Sequence, residues 1–202
     1  MSAKIEFLFD FASTNAYLSY HVLKGVAERN NATITLTPVL LGGLFKITNN
    51  QAPMAAFGEV KGKLDYDMLE TQRFIDAHQL NHFKFNPHFP INTIMLMRGF
   101  IAAQELGVID RYVEVNLSAM WEQELNMGDP GVAMDVWESA GLDAAALGEV
   151  IQTQPVKDVL LQSTQQAAER GAFGVPTFFV GHEMFFGKER IAQIEQMIQQ
   201  VN

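Results

Sequence analysis

The chain has 202 residues, with 14 Lys plus Arg against 23 Asp plus Glu and no cysteine. A net charge of −9 disfavours nonspecific contact with nucleic acid or an anionic membrane, and the lack of cysteine excludes disulfides, thiolate metal sites and any thiol nucleophile belonging to the protein. The length and an apolar fraction of 48% fit one ordinary domain, or one domain with a large insertion, and no apolar run approaches the roughly 18 residues that a membrane span needs.

The N-terminus carries no signal-peptide pattern, so a cytoplasmic location is expected. Lys4–Phe9 (KIEFLF) is mostly apolar and reads as a central strand. A short turn, F9-D-F-A-S13, follows, and Tyr17, Leu18, His21, Val22, Gly25 and Val26 then fall near helical spacing. Ser13 or Thr14 suits the N-cap of that helix. Ser13 has two readings at this point: a cap alone, or a hydroxyl at a strand–helix junction where chemistry is often placed. Thr33–Leu41 (TITLTPVLL) is rich in β-branched residues and reads as a second strand, so a parallel strand–helix–strand crossover is predicted.

From about Gly42 to Arg170 the patterns are helical. The predicted helices are Met54–Gln79, Asn92–Gly107, Asp110–Met127, Pro130–Ala140, Asp143–Gln152 and Pro155–Arg170, with His82–Pro90 as a loop. Pro130 and Pro155 fit first helical positions; Gly107, Gly141 and Gly171 fit C-terminal stops. Val175–Val180 and Glu183–Phe186 flank Gly181-His182, a two-residue hairpin signal. Lys188–Val201 is amphipathic, with Ile191, Ile194, Met197, Ile198 and Val201 on one face. The order is β-α-β, a helical block, then β-β-α, and the first and last segments are expected to close into one mixed sheet.

That order, together with four stretches, resembles the DsbA superfamily of thioredoxin-fold proteins. The stretches are F9-D-F-A-S-T-N-A-Y-L18, P38-V-L-L-G-G-L-F-K-I-T-N-N50, N86-P-H-F-P-I-N-T93 and F173-G-V-P-T-F-F-V-G-H-E-M-F-F-G-K-E-R190. Within the superfamily the chain is most similar to the group containing 2-hydroxychromene-2-carboxylate isomerase and kappa-class glutathione transferases. The implied fold is α/β and thioredoxin-like, with residues 1–42 and 171–202 forming a discontinuous thioredoxin-like domain and 43–170 a helical insertion. Redox members carry Cys-x-x-Cys where this sequence has S13-T-N-A16, so dithiol exchange is excluded. In the similar group the first position is a serine facing the thiol of bound glutathione. Thr14 stands where that group usually has proline.

The resemblance assigns Ser13 to the sulfur. The Val175–Pro176 backbone, with a cis proline, is assigned to the cysteinyl part of glutathione. Phe186, Gly187, Lys188 and Glu189, at a strand end and helix start, are assigned to its γ-glutamyl end. Lys46, Asn50 and Phe89 are assigned to the pocket of an aromatic carboxylate or other electrophile. The implied activity is a glutathione-dependent cis/trans isomerisation of 2-hydroxychromene-2-carboxylate to trans-o-hydroxybenzylidenepyruvate. It runs by addition of the thiolate to the conjugated carbon, rotation, and elimination. A kappa-like transferase and a noncatalytic thiol- or peptide-binding relative are the alternatives. A homodimer is also implied. His21, His78, His82, His88 and His182 show no metal-binding spacing. The chain has no Gly-x-Gly-x-x-Gly, Walker loop or nucleophile elbow.

Overall fold

The protein is described here from a computed structural model. It describes residues 2–201; Met1 and Asn202, included in the expected segments, and the Val201 side chain, expected on the last apolar face, lie outside the described residues. Four strands, β1 (Lys4–Phe9), β2 (Thr33–Pro38), β3 (Thr177–Val180) and β4 (Glu183–Phe186), form one mixed sheet in the order β2-β1-β3-β4. β1 pairs parallel with β2 and antiparallel with β3, which pairs antiparallel with β4. Residues from the first and last parts of the chain therefore meet in β1 and β3, with Ile5 opposite Val180.

Ten helices surround the sheet among the described residues: α1 (Thr14–Arg29), α2 (Leu41–Thr48), α3 (Pro53–Phe57), α4 (Lys63–His78), α5 (Ile94–Glu105), α6 (Ile109–Trp121), α7 (Pro130–Ser139), α8 (Ala144–Ile151), α9 (Gln154–Glu169) and α10 (Ile191–Val201). The alternation of a strand splits the core in two. Ile5, Phe7, Phe9, Phe178 and Val180 join the large cluster that includes α1, α5, α6 and α10. Leu8 and Phe179 face the other way, into a smaller cluster with Leu44 of α2 and Ala167 of α9. Full burial of each such side chain contributes about 1.5–3 kcal/mol, which explains why β1 carries apolar residues on both faces.

Three predicted boundaries are corrected, two of them because a distant group captures the backbone. The strand expected to run to Leu41 stops at Pro38, which has no N–H to extend the ladder. Beyond it, the Leu40 amide donates to Thr164 Oγ1 (2.9 Å) and the Leu41 amide to Asp10 Oδ2 (2.7 Å), and Leu41 opens a helix. The single helix expected over Met54–Gln79 is two, separated around Gly58–Gly62, where Gly62 has a φ of +79°. The helix expected over Asp110–Met127 ends at Trp121. Its last carbonyls are taken by the Lys84 amide (to Trp121 O, 2.7 Å) and the Asn86 side chain (to Met120 O, 2.7 Å).

Packing in the helical part is tight at Gly99 on α5. A Cβ there would stand 2.1 Å from the hydroxyl oxygen of Tyr112, which donates to Leu96 O at 3.0 Å. Alanine is the better helix former by about 1 kcal/mol, yet Gly99→Ala is expected to destabilise the protein by about 1–3 kcal/mol through overpacking. The measurement is a lower urea midpoint at unchanged m-value. Combining it with Tyr112→Phe is expected to cost less than the sum, because the clashing oxygen is gone.

Candidate functional site

Ser13 is the N-cap of α1, in an extended conformation (φ −95°, ψ 112°), and its Oγ accepts the Ala16 amide at 3.1 Å. The cap reading holds, and a second contact accompanies it. The Ser13 hydroxyl donates to the Val175 carbonyl at 3.2 Å, across 162 residues of sequence. The side chain is only 8% exposed. The amides of Thr14 and Asn15 lie in the first turn, where no intrahelical carbonyl reaches them, and that turn has no acidic residue. The partial positive charge of a 16-residue helix is thus offered beside a hydroxyl, with no carboxylate in that first turn.

The Val175–Pro176 peptide is cis, as is Phe89–Pro90, which the sequence did not announce. The Pro176 carbonyl accepts the Gly187 amide at 3.0 Å, so the turn after β4 is tied to the proline loop. Gly187 has φ +97° and ψ 151°, a conformation other residues rarely adopt, and a Cβ there would meet Glu189 Oε2 at 2.8 Å. A single 3-10 turn, Lys188–Arg190, then leads into α10, where one continuous helix was expected. Lys188 is 5% exposed and its ammonium pairs with Glu189 Oε1 at 2.6 Å. Burial works to raise the Glu189 carboxyl. The Lys188 ammonium, the residue's own amide and Arg190 outweigh that and hold it below the usual carboxylate range. Phe186 is partly exposed and its ring contacts Phe173 at 4.5 Å.

Of the residues expected on the substrate side, Asn50 joins the same region. Its Nδ2 donates to the Phe173 carbonyl at 2.9 Å, two residues before Val175. Phe89 is half-buried, with its ring 5.4 Å from Phe85 and 6.2 Å from Trp121. Lys46 is exposed in the last turn of α2 and has no ion-pair partner among the described residues. Hydrogen bonds therefore link Ser13 to Val175 and Pro176 to Gly187, while Asn50 reaches the adjoining strand approach and Lys46 stands apart.

Two residues at the site were missed by sequence reading. Trp121 is fully buried, its Nε1–H donates to the Phe11 carbonyl at 3.0 Å, and its ring backs Phe83, Phe85 and Phe89. It connects the helical part to the turn that carries Ser13. Asp10, directly after β1, is fully buried. The signal available was an acid inside an otherwise apolar F9-D-F11 run, immediately before the turn. A cavity of about 670 Å³ between α6 and α7, bordered by Arg111, Ser118 and Asp135, contains none of these site residues.

Residues 4–199 match the DSBA-like thioredoxin domain family. The chain is 26% identical to the 2-hydroxychromene-2-carboxylate isomerase of Pseudomonas sp. (strain C18), over 96% of this chain and 89% of that one. It is 24% identical to glutathione S-transferase kappa 1 of Rattus norvegicus, over 96% and 90%. Among solved structures, a 2-hydroxychromene-2-carboxylate isomerase superposes with a TM-score of 0.84 at 26% identity, covering 98% of this chain and 95% of that one. A probable DsbA oxidoreductase from Streptomyces coelicolor shares the fold at 16% identity and a TM-score of 0.76, covering 98% and 89%.

Proposed function

The chain belongs to the DSBA-like thioredoxin domain family, and on that premise we propose that it is a glutathione-dependent isomerase acting on a 2-hydroxychromene-2-carboxylate type of substrate. Full-length similarity to isomerases of that name supports the reaction class. The observation that carries the reading is the contact between the Ser13 hydroxyl and the Val175 carbonyl, made beside the N-terminus of α1.

The residues present fit a γ-glutamyl-cysteinyl-glycine tripeptide. Val175 offers backbone groups beside a cis proline, in the manner of a short added strand. Glu189 keeps an ionised carboxylate for an ammonium, and the Gly187 turn, whose amide donates to the Pro176 carbonyl, sets it beside the proline loop. When bound, glutathione supplies the thiolate nucleophile that a cysteine-free chain lacks. Ser13 then has one task, to donate to sulfur and favour its anionic form, assisted by the dipole of α1. To do so its hydroxyl turns away from the Val175 carbonyl, which is released to accept the peptide N–H of the ligand. Asn50 and Phe89 border the electrophile, and Lys46 pairs with its carboxylate once it is bound. The reading carries a homodimer with it, which sedimentation velocity tests.

A kappa-like transferase is the second reading, supported by the relative of that name; it shares the glutathione side and differs in releasing a conjugate. Titration with reduced glutathione, followed by thermal melting, is the first test. Ligand at about 100 times its dissociation constant adds about 2.7 kcal/mol to stability, and a clear rise in Tm is expected, with glutathione-dependent isomerisation on the same samples. A rise with a stable conjugate and no isomerisation favours the transferase. No rise at millimolar glutathione sinks both.

A further inference from the structure

Asp10 lies at the end of β1, fully buried, and accepts three hydrogen bonds from three separate parts of the chain. Oδ1 takes the Ala12 amide at 2.9 Å, within the turn that presents Ser13, and the Thr93 hydroxyl at 2.7 Å, at the start of α5. Oδ2 takes the Leu41 amide at 2.7 Å, in the first turn of α2. The Asp10 carbonyl also accepts the Ser13 amide at 3.2 Å. α2 is the helix that carries Lys46 and leads directly to Asn50.

We propose that Asp10 is a positioning residue that fixes the spacing between the sulfur side and the electrophile side of the site, by holding the Ser13 turn and the start of α2 on the two oxygens of one carboxylate. The inference rests on the glutathione-dependent reading for its catalytic consequence, and on the hydrogen bonds alone for its mechanical one. A buried carboxylate is costly, and burial pushes its pKa up. An apolar residue would serve packing without that cost. What the carboxylate adds is acceptor capacity on both oxygens, where every neighbour donates. Thr93, itself buried, is the only one of the three partners that is a side chain, and through it α5 joins the same clamp.

Asp10→Asn keeps the shape and removes the match. Whichever way the amide turns, one N–H faces either the Leu41 amide or the Ala12 amide and Thr93 hydroxyl. Misplacement of catalytic groups by 1 Å costs on the order of 10²-fold, and a smaller release is expected to lower kcat by roughly tenfold. Glutathione affinity should change by less than about threefold, because Val175 and Gly187–Glu189 lie on other segments. Thr93→Val should lower kcat in the same direction, and Thr93→Ser, which keeps the donor, should retain more turnover than Thr93→Val.

The test measures kcat, glutathione affinity by calorimetry and amide hydrogen exchange on Asp10→Asn and the wild type. Selective speeding of exchange at Ala12 and Leu41, with β1 and β3 still protected, is the expected mechanical result. Unchanged protection of those two amides, or exchange that speeds uniformly over the sheet, overturns the proposal. So does unchanged kcat in an Asp10→Asn enzyme whose wild type turns over. If the wild type neither binds glutathione nor isomerises the substrate, the functional reading fails, and the exchange result still decides the role of Asp10.

Discussion

Ser13→Ala is expected to lower turnover by about 10²- to 10³-fold at saturating glutathione, the loss seen when one donor to a developing anion is removed. The hydroxyl donates to the Val175 carbonyl from a residue that is nearly closed to solvent. The same substitution removes the α1 cap, for which about 1 kcal/mol of stability is expected. Ser13→Asp keeps a capping oxygen but sets a negative charge in a nearly buried position against the Val175 carbonyl, so it is expected to lose both stability and turnover. The acid limb of the pH–rate profile should move to higher pH in Ser13→Ala. Without the donor the bound thiol ionises less readily, so a higher pH is needed for the same thiolate fraction. Turnover within about threefold of wild type in Ser13→Ala, a small change on the free-energy scale, would return Ser13 to capping alone.

Gly187→Ala is the second large effect. Its φ of +97° with ψ 151° belongs to a region that is essentially glycine's own, where another residue costs about 1–3 kcal/mol. The added Cβ would also stand 2.8 Å from Glu189 Oε2. The turn has two ways to respond. It relaxes φ, and pulls the Gly187 amide away from the Pro176 carbonyl, or it displaces the Glu189 carboxylate that is proposed to meet the γ-glutamyl ammonium. Either response acts on binding more than on the chemical step. Glutathione affinity is expected to fall about 10- to 100-fold, at 1.4 kcal/mol per tenfold, while kcat at saturation changes much less. Calorimetric titration beside steady-state kinetics checks the split. Unaltered affinity in a folded Gly187→Ala protein rules out this turn as part of the glutathione site.

What could be read from the sequence is what local physics determines. β1, α1, the β3–β4 hairpin and the proline-started helices α7 and α9 follow from periodicity, caps and turn residues, and they stand within a residue or two of expectation. The failures at Leu41 and Trp121 share one cause. Leu41 was placed in a strand because nothing nearby shows that Asp10 and Thr164 claim the amides after Pro38. Trp121 ends α6 because Lys84 and Asn86, distant in sequence, occupy its carbonyls. The site divides in the same way. Ser13 and Gly187 sit at strand–helix junctions and Pro176 just before β3, all with residue types visible in the sequence. The burial of Asp10 depends on donors at positions 12, 41 and 93, which no local pattern brings together.

The arrangement of the sheet has a consequence for how the molecule is made. β1 and β2 are adjacent in the chain, but β1 is completed by β3, and Ile5 meets Val180 only after the whole helical region between them exists. Such pairing gives a high contact order and a slow closing step, because loop-closure entropy is spent before the central contacts return it. During synthesis the apolar flank of β1, with Phe7 and Leu8, waits without its partner and is exposed to aggregation, the condition chaperones relieve. Ser13 is made early and Val175 and Gly187 late. On the proposed reading, glutathione binding requires a chain whose first and last strands have joined, and ligand affinity would serve as a direct readout of completed folding.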